Sequence, residues 1–281
     1  MLSLLGRLPL LAYFAGAYAF AALALAVIGL PRLSDGGSRS MVSLFIFPVI
    51  VIGAGLTGFA MTAATGGRSG LRELQARLWR WRVPAQWYAV LLIPPAGILA
   101  VLTGLRMLVS PIYTPEFLAF GFGIGAVAGF FEEIGWTGFA YPRLRARFGA
   151  LQGALLLGLA WGLWHLPVLD SMGAASPHGR YWPAFFAAFI ALVAGIRVLI
   201  AWVFVNTGSL LLAQLMHASS TGFLVVLSPP RVTAGQEALW YFLYAALVWL
   251  LVAILVAVAG GGLAQVRHRN PAGAVDVAGI A

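Results

Sequence analysis

The chain contains no cysteine, so disulfides, thiolate metal ligands and thiol nucleophiles are excluded together. It also contains no lysine: all 17 basic side chains are arginine, and they leave a net charge of +9. Charge of either sign is scarce. Only 9% of the residues are charged against about a quarter in an ordinary soluble domain. Internal repeats, low-complexity tracts and a separate polar domain are missing too. What remains is 62% hydrophobic, which makes the chain an integral membrane protein. A pI near 10.8 could suggest nucleic acid. The arginines lie in short stretches between apolar runs, however, a pattern that reads as membrane topology and contact with anionic headgroups.

Eight apolar segments approach the roughly 20 residues that a ~30 Å hydrocarbon core requires. They run Leu8–Leu30, Met41–Ala63, Gln86–Val109, Glu116–Ala140, Ala150–Leu169, Tyr181–Val205, Gly208–Ser228 and Ala238–Ala264. The expected fold is therefore all-α, a single polytopic bundle of about eight transmembrane helices covering residues 1–281. The first segment follows Arg7 without a convincing cleavage site and is read as a retained helix; the C-terminal tail is read as disordered. Arg7, Arg68, Arg72, Arg77, Arg80, Arg82, Arg143, Arg145, Arg147, Arg267 and Arg269 fall on one side of such a bundle. The other side holds only Arg32, Arg39, Arg180 and Arg231. Basic loops stay in the cytoplasm, which places both termini there. Between the second and third segments, Leu71–Val83 carries an apolar stripe (Leu71, Leu74, Leu78, Trp81) with arginines opposite it. This is the composition of an amphipathic helix lying in the membrane interface.

Within the fourth segment stands Gly129-Phe130-Phe131-Glu132-Glu133-Ile134-Gly135-Trp136-Thr137-Gly138. Charge at bilayer depth costs roughly 2.5–3.5 kcal/mol on insertion scales, so a carboxylate pair there points to a functional site. Gly121, Gly125 and Gly129 recur every four residues ahead of it, a spacing that lets helix backbones approach closely. The glutamates should then face other helices. Segment five places Gly158, Trp161, Gly162 and His165 on one face before Pro167 closes it. Segment six carries Arg197 at mid-depth. The Asn206-Thr207-Gly208-Ser209 connection can cap segment seven, where His217 shares a side with Gln214, Ser220 and Thr221.

Taken singly, each of these residues has a plainer use. A lone membrane glutamate often serves packing or a proton relay, and a lone histidine is often a satisfied polar group. Trp136, Trp161 and Trp164 suit packing or interface anchoring. Together they can manage a water in two ways. Glu132, His165 and His217 could bind a divalent metal that acidifies it. Alternatively a glutamate acts directly as general base, with a histidine and a hydroxyl or amide one turn later holding the oxyanion.

In order and spacing, Glu132-Glu133-Ile134-Gly135-Trp136-Thr137-Gly138, Trp161-Gly162-Leu163-Trp164-His165 and His217-Ala218-Ser219-Ser220-Thr221 resemble the three motifs of the CAAX prenyl endopeptidase and bacteriocin-processing (CPBP, or Abi) family. That family includes the type II CAAX proteases. The resemblance implies a catalytic core over about 117–228 of an eight-helix intramembrane endopeptidase. It assigns Glu132 as the base, His165 as its assistant and Glu133 as an orienting group. His217 and Thr221 become the oxyanion side, with Trp136, Trp161 and Arg197 in support. Members are often described as metalloproteases, which leaves a divalent metal such as zinc open, with Glu132, His165 and His217 as its candidate ligands. Two positions depart from the family pattern. Thr137 stands where an arginine is expected five residues after the first glutamate, and Thr221 stands where an asparagine is expected. The first loss removes a cationic partner from Glu133, and Arg197 is the replacement expected.

Three readings follow: an active membrane endopeptidase, an impaired family member acting as scaffold or bacteriocin self-immunity factor, and a proton-coupled transporter. No inverted repeat supports the third. The expected partners are membrane lipids and a peptide or protein substrate, lipidated or not, with no nucleic acid. Composition and the preference for arginine fit a prokaryotic cytoplasmic (inner) membrane.

Overall fold

A computed structural model describes residues 8–30, 39–169 and 172–264. Among them every regular element is helical. The elements are α1 (Pro9–Ala24, continued by a π-turn at Leu25–Gly29), α2 (Arg39–Leu78), α3 (Gln86–Leu108), α4 (Phe120–Gly135), α5 (Tyr141–Phe148), α6 (Ala150–Trp164), α7 (Trp182–Thr207), α8 (Leu210–Val226) and α9 (Ala234–Val258). Five of these runs are long and apolar enough to cross a membrane: Pro9–Gly29, Phe45–Leu78, Gln86–Leu108, Gly179–Thr207 and Ala234–Val258. Two more, α6 and α8, are apolar but shorter. The protein is a polytopic helical bundle, and each of the eight apolar segments holds a helix. Arg7, Arg32, Arg267, Arg269 and the tail lie outside the described residues.

Several boundaries differ from the sequence reading, four of them for a local reason. Segment four does not stop at Ala140. A π-turn at Trp136–Ala140 passes directly into α5, so one helical rod runs from Phe120 to Phe148. Arg143 makes this extension tolerable by donating to the Phe139 carbonyl at 2.9 Å and to Thr65 Oγ1 at 2.9 Å. The second segment and the amphipathic stretch are likewise one run, α2, interrupted only at Gly67. Its φ of 55° and ψ of −146° are a conformation open to glycine. The amphipathic helix ends at Leu78 rather than Val83. Just past Leu78, Ser209 Oγ donates to the Arg80 carbonyl at 2.6 Å, holding the chain against the α7–α8 turn. Finally, α9 starts at Ala234, four residues before the expected Ala238, because Thr233 and Gln236 form a capping box.

The glycine spacing in α4 does what it predicts. A Cβ at position 125 would lie 2.3 Å from the Ala218 carbonyl oxygen, and one at 129 would lie 2.4 Å from that of Gln214. Backbone therefore packs on backbone between α4 and α8. On the opposite side, Gly58 of α2 meets Gly135, where a Cβ would come within 2.3 Å of its Cα. Helix α4 is clasped between α2 and α8, with its carboxylates aimed into the bundle. The α7–α8 connection is also as expected: Gly208 is left-handed (φ 63°) and Ser209 Oγ accepts from the Leu212 amide at 3.1 Å.

Candidate active site

Extending the rod to Phe148 explains how Glu132 and His165 reach one depth. Glu132 lies sixteen residues before the end of the rod, and His165 fifteen residues after the start of α6. At 1.5 Å per residue they are about 24 Å and about 22 Å from the hairpin between them. Trp161, one turn before His165, spans the gap.

The two glutamates have different surroundings, although both are buried. Glu133 is saturated. Arg197 grips it with two parallel bonds, Nη1 to Oε2 and Nη2 to Oε1, both 2.8 Å. His217 Nδ1 meets Oε1 at 2.7 Å, and the Thr137 hydroxyl donates to Oε2. Arg197 Nη1 lies 3.2 Å from Thr137 Oγ1 as well. The guanidinium missing from position 137 is thus delivered from α7, and a threonine fills the space. A fork of this kind is the geometry in which arginine holds a carboxylate most firmly.

Glu132 is held from one side only. Trp161 Nε1 donates to Oε2 at 2.8 Å and Trp136 Nε1 donates to the same oxygen at 3.1 Å. Oε1 makes no hydrogen bond among the described residues. The indoles expected to be packing groups are therefore donors that orient this carboxylate.

Trp161 is the centre of the cluster. Its ring lies edge-on to His217 (4.9 Å between centroids) and to His165 (5.6 Å), while the Arg197 guanidinium sits 4.4 Å from its centroid. His165 Nδ1 faces the Trp161 carbonyl at 2.8 Å, and Phe189 packs on the ring at 5.1 Å. A carbonyl or carboxylate opposite Nδ1 requires a proton there. Both imidazoles therefore present Nε2 as the nitrogen left for chemistry.

The remaining expected residues are placed less tightly. Thr221 is half-buried one turn beyond His217 and bonds no described residue. Gln214 donates to the Phe130 carbonyl at 2.8 Å, bracing α8 against α4, and Ser220 returns to the His217 carbonyl of its own helix at 2.9 Å. Sequence reasoning missed Tyr13 of α1. It packs edge-on against Trp136 at 5.2 Å, its hydroxyl lies against Gly135, and it finds no partner among the described residues. A tyrosine within an apolar first helix was the available signal. A second buried ionic cluster was also missed. Glu237 accepts from the Ala174 and Ala175 amides, each at 2.8 Å, and its Oε2 lies 3.1 Å from His178 Nε2, tying the 172–178 loop to α9.

The metal candidates do not converge. Among the described residues no three His, Asp or Glu side chains form a metal-binding group. The oxygens of Glu133 are already committed to Arg197, His217 and Thr137. The residues present do not fit a metal held by three protein ligands, and the metalloprotease description finds no support in this arrangement.

Fold and site together define a polytopic helical membrane protein with a carboxylate, guanidinium and imidazole cluster sealed between its helices. Residues 114–223, which contain the whole cluster apart from Tyr13, match the family described as "Type II CAAX prenyl endopeptidase Rce1-like". A "CAAX prenyl protease 2" of Methanococcus maripaludis is 27% identical over 115 residues, 40% of this chain and 40% of that relative. Over that central region the chain is similar to type II CAAX proteases, and it spans about 40% of the length of the curated relative it matches.

Proposed function

We propose that the protein is an intramembrane endopeptidase that hydrolyses peptide bonds with water activated by Glu132. The asymmetry of Glu132 carries this reading: one oxygen is fixed by two indole N–H groups and the other is left without a bond. Oε1 is the oxygen that takes the proton of a water. The resulting hydroxide attacks the peptide carbonyl carbon, and His217, as an imidazolium donating from Nε2–H, receives the oxyanion together with the Thr221 hydroxyl. Glu132 then returns its proton to the leaving amine. His165, against Trp161, assists in placing the water. Glu133 does not exchange protons. Gripped by Arg197, it keeps His217 Nδ1 protonated and the ring oriented, as a buried carboxylate does for a catalytic histidine.

Its substrates on this reading are membrane-associated peptides or proteins, prenylated, of bacteriocin type or neither, in a prokaryotic cytoplasmic membrane with both termini on the cytoplasmic side. The mechanism uses no metal. The rival reading, an impaired member serving as scaffold or self-immunity factor, drew its support from Thr137. Delivery of a guanidinium to Glu133 by Arg197 weakens that support. A peptide library with and without prenyl groups, incubated with the protein in liposomes, tests the proposal. Cleavage lost in both Glu132→Ala and His165→Ala is expected; no cleavage by the unaltered chain favours the scaffold.

A further inference from the structure

The Gly67 interruption in α2 and the π-turn after α4 leave a cavity of about 330 Å³ at the arginine-rich end of the bundle. Its lining includes Thr62, Gly66, Glu73, Arg77, Gly138 and Arg143. Two guanidiniums and one carboxylate give it one net positive charge. Arg77 pairs with Glu73. Arg143 has no carboxylate partner among the described residues. Its guanidinium is fixed by the Phe139 carbonyl and Thr65 Oγ1, and it rests 3.7 Å from the centroid of the Phe139 ring. Three of its five N–H groups bond no described residue, Glu73 offsets only part of the charge of the two guanidiniums in the cavity, and a guanidinium held in this way is matched by an oxyanion. Gly66, a lining residue next in the chain to Thr65, leaves room: a Cβ there would meet nothing within 4 Å.

The level of the cavity selects the source of that oxyanion. It sits where α2 and the rod leave their apolar stretches, among the exposed Arg68, Arg72, Arg145 and Arg147. Trp79 and Trp81, 73% and 55% exposed, follow on the same chain segment. Arginine and tryptophan at the end of membrane helices mark the headgroup layer. We propose that this cavity binds the phosphate of an anionic phospholipid headgroup, with Arg143 as its principal donor. The site is separate from the glutamate cluster, and the proposal stands or falls independently of proteolysis.

Calorimetric titration of the full chain in phosphatidylcholine nanodiscs with short-chain phosphatidylglycerol tests it. Saturable one-to-one binding is expected. Arg143→Gln and the cavity-filling Gly66→Leu should each weaken it about tenfold or more, the scale of a lost charge-assisted contact. Arg145→Gln, on the same helix but exposed and outside the cavity lining, should leave it unchanged. Gly66→Leu keeps the result decisive should Arg143→Gln fail to fold. Non-saturable binding, or an equal loss in Arg145→Gln, would reduce the effect to diffuse surface charge and overturn the proposal. Inorganic phosphate binding as tightly as the lipid would overturn the lipid as ligand. So would displacement of phosphatidylglycerol by a peptide bearing a free C-terminal carboxylate.

Discussion

Arg197 sits where removal is costly, because Glu133 depends on it for its charge balance. Breaking a buried ion pair from one side costs roughly 3–5 kcal/mol. Arg197→Leu should therefore lower the melting temperature sharply in a tryptophan-fluorescence scan. Adding Thr137→Arg to Arg197→Leu should recover much of the loss, since residue 137 lies one turn from Glu133 on the same helix and its side chain already bonds that carboxylate. No recovery would mean that Arg197 acts through something other than its charge. Trp161→Phe separates ring from N–H. The ring contacts with both histidines survive, one donor to Glu132 disappears, and about 1.5–3 kcal/mol of hydrogen bonding to a charged group goes with it. A stability as high as that of the unaltered chain would contradict the assignment of Trp161 as an orienting donor. At this scale the sequence was informative about which residues gather and less so about how. The motif order marked Glu132, Glu133, His165 and His217. That two tryptophans donate to one carboxylate oxygen could not be read, because an indole in an apolar segment has the same pattern whether it packs or donates.

The helices place these residues through backbone contact rather than through side-chain pairing. Gly125→Leu forces a side chain into a site where even a Cβ would stand 2.3 Å from a carbonyl oxygen, so α4 and α8 must separate. Overpacking of this kind costs about 1–3 kcal/mol. The expected result is a lower melting temperature together with loss of activity, since His217 and Glu133 lie on the two helices being parted. Gly123→Leu, on the same helix with nothing within 4 Å of its Cβ, should be tolerated in both respects. Periodicity alone made this face legible. The helix ends were less so. The rod continues through Tyr141–Phe148 because Arg143 finds oxygen partners on its own helix and on α2, a tertiary fact that a polar sequence conceals. The start of α9, by contrast, is legible in Thr233 and Gln236, a capping pair that lies ahead of the point where the apolar run begins.

Seen whole, the described bundle gathers the arginines of α2 and the rod near one end and seals its carboxylate cluster in the interior, and both features can be read from where charged residues interrupt the apolar segments. The absence of cysteine makes the orientation simple to check, because any introduced thiol is the only one. A cysteine at Arg145 should be labelled by impermeant maleimide only from the cytoplasmic side, and one at Arg180 only from the opposite side; the reverse pattern would invert the topology. The most direct measurement concerns Glu132 itself. Cleavage of a membrane-associated peptide by the purified chain in liposomes should be compared with that by Glu132→Gln, which keeps size and removes the base, each with and without a chelator. Loss of a general base lowers a rate by about 10²–10⁴-fold. A fall of that order in Glu132→Gln, with the unaltered chain indifferent to chelation, is the expected result. Cleavage that survives Glu132→Gln, or that stops on chelation and returns with zinc, would contradict a metal-free glutamate mechanism.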